Sequence, residues 1–95
     1  MAFVPFDDRD GWIWFDGEFV PWREAKTHVL THGLHYGSSV FEGERMYDGE
    51  IFKITEHSER LHRSAGMLDF EIPFSVAELD NAKRATCAKM GFSDC

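Results

Sequence analysis

Two Asp-Gly pairs constrain the fold of this chain more than any other feature. Asp16-Gly17 separates Trp12-Ile13-Trp14-Phe15 from Glu18-Phe19-Val20, and Asp48-Gly49 separates a run of about Val40–Tyr47 from one of about Glu50–Ile54. A two-residue type I′ turn requires positive φ at both central positions, which Asp tolerates and Gly adopts freely, and its twist matches that of the flanking strands. Both pairs therefore predict hairpins, and each turn sets a register. In the first, Trp14 faces Phe19 and Ile13 faces Val20, so the cross-strand pairs are apolar on both faces and the sheet is expected to be covered. In the second, Phe41, Gly43, Arg45 and Tyr47 project to one side, with Phe52 opposite Arg45. Val40, Glu42, Glu44 and Met46 project to the other, with Ile51 opposite Met46 and Lys53 opposite Glu44, which predicts a Glu44–Lys53 cross-strand ion pair.

After Ile54 the period changes. Leu61, Ala65 and Leu68 recur at helical spacing with His57 and Ser64 beside them, and Thr55 is a candidate N-cap for a helix of roughly Glu56 to Leu68. Ser75-Val76-Ala77-Glu78 is a capping box with Phe74 and Leu79 at the staple positions, opening a second helix to about Met90 with Gly91 as its C′ residue. Antiparallel hairpins followed by two helices read as an α+β domain. The Met1–Gly11 segment mixes aromatics and acids without a period and is expected to be an arm. With 95 residues there is room for one small domain of modest stability, so a place within a larger protein is open from the start.

Charge removes several function classes. A net charge of -7 and a pI near 5.1 disfavour nucleic acid and acidic membrane surfaces, both of which are held by clustered Lys and Arg. No apolar run is long enough to span a bilayer, and Met1–Asp10 is acidic rather than a basic leader, so a soluble, cytoplasmic protein is expected. Cys87 and Cys95 form neither a CxxC nor a disulfide framework and read as reduced.

Polar and small residues concentrate between His28 and Arg45. His28, His32 and His35 have a spacing that would bring them together on a helix, as metal ligands require. Gly33 and Gly37 weaken a helix there, and no carboxylate falls at ligand spacing, so hydrogen-bonded turn histidines are the favoured reading and no metal is expected. Gly37-Ser38-Ser39 could cradle a phosphate, but lacks the strand-to-helix setting of a P-loop and reads equally as a turn.

The run Leu34-His35-Tyr36-Gly37-Ser38-Ser39-Val40-Phe41-Glu42-Gly43, followed by Arg45 and Tyr47, closely resembles the motif that opens the substrate pocket of branched-chain amino acid aminotransferases, enzymes of the class IV, fold-type-IV group that use pyridoxal phosphate. The resemblance extends back to Ile13–Val20 and forward to the helix bearing His57, Arg60 and Leu61. It implies the small N-terminal domain of that fold over residues 1–95, with Arg60 on the cofactor phosphate, Tyr36, Phe41 and Gly43 around the substrate side chain, and Arg45 near the substrate carboxylate. Residue chemistry agrees. Arg60 lies at the edge of the Leu61/Ala65/Leu68 stripe, and a guanidinium fork suits phosphate at any working pH, although a surface pair with Glu56 one turn back is the plainer reading. Glu44 departs from the pattern, standing where many relatives have an aliphatic residue.

The resemblance also implies an amino transfer from leucine, isoleucine or valine to 2-oxoglutarate by a homodimer or higher homo-oligomer. The Schiff-base lysine and the carboxylate facing the cofactor's pyridine nitrogen belong to a C-terminal domain, and none of Lys26, Lys53, Lys83 and Lys89 matches that lysine. The chain is thus expected to be an incomplete enzyme with no catalytic residue of its own. Alternatives are a D-amino acid aminotransferase or aminodeoxychorismate lyase of the same fold, or a non-catalytic association domain.

Overall fold

The computed structural model describes residues 3–95; Met1 and Ala2 lie outside the described residues. Strands β1 (Trp12–Phe15) and β2 (Glu18–Pro21) are followed by a 3-10 turn (Trp22–Glu24), the single-turn helix α1 (His32–His35), strands β3 (Met46–Tyr47) and β4 (Glu50–Ile51), and helices α2 (Ile54–Met67) and α3 (Val76–Met90). The architecture is α+β, with two separate two-stranded antiparallel hairpins. Both Asp-Gly pairs make the expected turn, with φ of 50° and 95° at Asp16 and Gly17 and of 48° and 81° at Asp48 and Gly49. The registers follow: Trp14 faces Phe19, Ile13 faces Val20, and Met46 faces Ile51.

The second hairpin is shorter than the sequence pattern suggests. Lys53 takes a left-handed conformation (φ 52°) and α2 begins at Ile54 rather than Glu56, so the returning strand is consumed by the helix. Phe52 N–H still donates to the Arg45 carbonyl at 2.9 Å, but residues before Arg45 have no strand opposite them. The expected Glu44–Lys53 pair does not form. Lys53 turns to Glu56 at 3.7 Å, and Glu44 instead meets Lys83 of α3 at 3.0 Å. Thr55 is likewise not the N-cap; its hydroxyl donates to Asp80 across the helix pair. On the open edge of β3, Met46 and Cys95 exchange both backbone hydrogen bonds, at 2.8 and 3.1 Å.

The N-terminal segment is held by its polar groups. Trp22 Nε1 donates to the Phe6 carbonyl, and Arg23 reaches Asp8 and Asp10 at 2.8 and 2.6 Å. Gly11 is required where it stands: its φ is 141°, and a Cβ there would lie 2.7 Å from Met90 Cε.

Helix α3 organises the core. Its capping box is complete, with Ser75 accepting from Glu78 N and the Glu78 side chain accepting from Ser75 N, and Gly91 closes the other end at φ 74°. Phe74 packs edge-to-face on Trp14, with ring centroids 4.9 Å apart, and so joins the first hairpin to the start of α3. Leu79, Ala65 and Met46 are buried. Between α2 and α3 lies a polar clamp. Asp80 accepts from Thr55 at 2.6 Å and Ser58 at 2.5 Å, while Ser58 also accepts from Lys83 at 2.6 Å. Ser58 is fully buried and Asp80 nearly so. Burial pushes the Asp80 carboxyl up, but hydrogen bonds from Ser58 and Thr55, with the charges of Lys83 and Arg84, outweigh it and hold the group below the usual carboxylate range. Asp80→Ala removes the acceptor and strands two hydroxyls beside a lysine, so it is expected to destabilise the chain by about 3 kcal/mol, read as a lower midpoint in urea unfolding.

Candidate active site

The segment 38–45 has no strand partner and meets α2 through Glu42, which contacts His57 and Arg60, yet its burial keeps the period of a strand. Val40, Glu42 and Glu44 are partly covered and Met46 is buried, whereas Phe41, Gly43, Arg45 and Tyr47 are exposed. Phe41, Gly43 and Arg45 therefore share a side, as expected, but it is the open side of an unpaired segment rather than a sheet face.

On the inward side, Glu42 meets two residues one helical turn apart. Arg60 approaches it with Nε at 2.8 and 3.1 Å from the two carboxylate oxygens and Nη2 at 2.6 Å from Oε1. His57 Nδ1 lies 2.5 Å from the same Oε1 and, facing a carboxylate, must be the donor. The Glu42 side chain is 6% exposed and that of Arg60 58%. Hydrogen bonds from Arg60 and then His57 overcome desolvation and lower the Glu42 carboxyl from an ordinary 4.5 to about 2, and the same contact raises the Arg60 guanidinium. The Glu56 partner considered for Arg60 is engaged with Lys53 instead. Among the described residues Nη1 of Arg60 makes no hydrogen bond, and the side chain as a whole is more than half exposed.

Tyr36, just past α1, lies tilted against His32 and edge-to-face with His35, with centroids 5.0 and 4.7 Å away, and it remains largely exposed together with Leu34 and Phe41. A Cβ on Gly43 would meet nothing within 4 Å. Arg45 lies over the Tyr47 ring at 5.8 Å. His28 is a turn histidine whose Nδ1 accepts from Leu30 N at 3.0 Å, and the described residues contain no cluster of three or more His, Cys, Asp or Glu able to hold a metal. Gly37, at φ 75°, and Ser39 form a turn through Ser39 N to the Gly37 carbonyl. The residue that sequence reasoning passed over is Glu42. Alternation assigns it to the inner side, and a carboxylate on that side was the available signal; its partners on α2 were not.

Residues 39–94 match the family model for Amino-transferase class IV. The chain belongs to the class IV aminotransferases. It is 54% identical over 82 residues to the branched-chain-amino-acid aminotransferase of Pseudomonas aeruginosa, a match covering 82% of this chain and 27% of that protein. It is 48% identical over 82 residues to the enzyme of the same name from Escherichia coli, covering 82% and 26%. Among solved structures, the Escherichia coli branched-chain amino acid aminotransferase superposes with a TM-score of 0.85 at 43% identity, over 90% of this chain and 30% of that one. A branched-chain aminotransferase from Thermoproteus uzoniensis, solved with norvaline, gives 0.84 at 37% identity over the same shares. The chain thus spans about a quarter to a third of the length of the class IV relatives it matches.

The depressed Glu42 carboxyl makes this cluster sensitive to acid. Because its folded value lies below its ordinary one, its contribution is complete above about 4.5 and is lost as pH falls through about 2. Carbon NMR of the Glu42 carboxyl is expected to show that low midpoint, and Arg60→Ala to bring it back toward 4.5.

Proposed function

We propose that this chain is the incomplete N-terminal small domain of a branched-chain amino acid aminotransferase that uses pyridoxal phosphate and passes the amino group of leucine, isoleucine or valine to 2-oxoglutarate. The observation that carries this reading is the arrangement of 41–45: an aromatic ring, an uncovered glycine and an arginine on one open side, with Arg60 secured behind them. An apolar substrate chain needs an aromatic wall and room beside it, which Tyr36, Phe41 and Gly43 offer, and its carboxylate needs a cation, which Arg45 offers. The names of the relatives, and the norvaline on one of them, support an amino acid with an aliphatic side chain.

Arg60 suits the cofactor phosphate because it is permanently charged, is oriented by Glu42 and keeps Nη1 available. When bound, pyridoxal phosphate supplies the electron sink that makes the substrate Cα–H acidic. The proton and the covalent anchor require a lysine, and each of the four here has another setting. Lys83 is held by Ser58 and Glu44, Lys89 lies over Trp12 at 4.2 Å, Lys53 pairs with Glu56, and Lys26 is exposed away from the 41–45 segment in sequence. The reaction accordingly draws its base from the remainder of the parent enzyme. Exposed Val29, Leu30 and Leu34 support cover by that remainder or by a second copy in a homodimer. No helix among the described residues is long and apolar enough to cross a membrane, in keeping with a cytoplasmic enzyme.

In the parent enzyme, Arg60→Ala is expected to weaken pyridoxal phosphate binding about tenfold or more, the loss of one charge-assisted contact, as measured by equilibrium dialysis; unchanged affinity would return Arg60 to a structural pairing with Glu42. The 95-residue chain on its own is expected neither to turn over leucine with 2-oxoglutarate nor, after borohydride reduction with the cofactor, to show stoichiometric labelling of one lysine by mass spectrometry. Turnover together with such labelling would require a catalytic lysine among the four.

A further inference from the structure

We infer that Glu42 is a positioning residue for the cofactor phosphate: locked between His57 and Arg60, its carboxylate fixes the Arg60 guanidinium and leaves Nη1 to meet the anion. The inference rests on the reading of Arg60 as the phosphate ligand and goes beyond it by assigning a role to a residue that does not itself face the ligand.

Three observations carry it. Arg60 is a long side chain on a helix surface, 58% exposed, and would sample many rotamers if left alone, so part of any binding energy would be spent on ordering it. Glu42 removes that freedom with three short contacts to Nε and Nη2. Glu42 is in turn fixed, being 6% exposed, held on its second side by His57, and placed inward by the same alternation that turns Phe41 and Gly43 outward. The carboxylate grips one edge of the guanidinium, so a phosphate at Nη1 would sit on the other side of the cation. Repulsion between the two anions is then weakened by distance and by the charge between them, while the orienting contact keeps its full strength. Orientation should outweigh repulsion.

A purely structural Glu42 would tether the 38–45 segment to α2 and disturb every ligand alike if removed. A positioning Glu42 acts only when a phosphate is present and only through Arg60. In the parent enzyme, affinities for pyridoxal phosphate and for phosphate-free pyridoxal would be measured for the wild type, Glu42→Gln, Arg60→Ala and the double variant. Glu42→Gln is expected to weaken the phosphorylated form about tenfold, leave pyridoxal within about twofold, and add nothing to Arg60→Ala in the double variant. Circular dichroism checks folding, and Glu42→Asp, which keeps the charge but loses reach, replaces Glu42→Gln if that protein does not fold. An equal loss for both forms, an additive double variant, or tighter phosphate binding in Glu42→Gln would each overturn the inference. An Arg60→Ala variant of unchanged affinity would overturn the phosphate reading itself and this inference with it, whereas a weakened Arg60→Ala beside an unaffected Glu42→Gln would overturn the inference alone.

Discussion

The left-handed residue at Lys53 is the constraint on which the rest of the structure turns. A strand continuing past it would have paired with the 40–45 segment and hidden it in a ladder. Because the chain instead reverses into α2 within two residues of β4, that segment is left with strand-like alternation but no strand partner. Its inner side chains must then find partners on the helices. Glu42 finds Arg60 and His57 on α2, and Glu44 finds Lys83 on α3. The outer side stays open because the inner side is tied by charge rather than by backbone hydrogen bonds.

The helices can serve as that anchor because they are fixed to each other. The Asp80 clamp joins Thr55 and Ser58 of α2 to Lys83 of α3, and His62 of α2 adds a hydrogen bond to the Phe74 carbonyl at 2.8 Å. Phe74 then carries the restraint to Trp14 in the first hairpin. Few large side chains are fully buried, so polar contacts with good geometry supply much of the specificity of packing. The one weak point in this arrangement is Glu44, whose Oε1 is buried without a hydrogen-bond partner among the described residues.

Features decided within a few residues were legible in the sequence. The sign of φ in each Asp-Gly turn, the two registers, the Ser75 capping box and the Gly91 terminus are all local consequences of residue type. The resemblance drew attention to the 38–45 segment, whose outer side is open. What could not be read was competition between elements: whether Lys53 would continue a ladder or start a helix, and so whether Glu44 would face Lys53 or a lysine far along the chain. Thr55 illustrates the same limit. Its type suits an N-cap, but α2 already starts at Ile54 after the left-handed Lys53, so Thr55 lies inside the first turn and its hydroxyl donates instead to the buried Asp80 carboxylate across the helix pair. The helical wheel put Arg60 at the margin of the apolar stripe without revealing that Glu42 would be there to receive it.

Gly43 carries a consequence for how the proposed pocket wall can change over evolutionary time. An added methyl group there would touch no atom of this chain within 4 Å, so the packing of this chain sets no limit on a side chain at that position. Most positions that shape a binding site also pack against the protein's interior, and altering them trades ligand preference against folding. In the proposed pocket, Gly43 uncouples the two within this chain: selection for the bulk of the bound molecule can act on one set of atoms while selection for a stable domain acts on another.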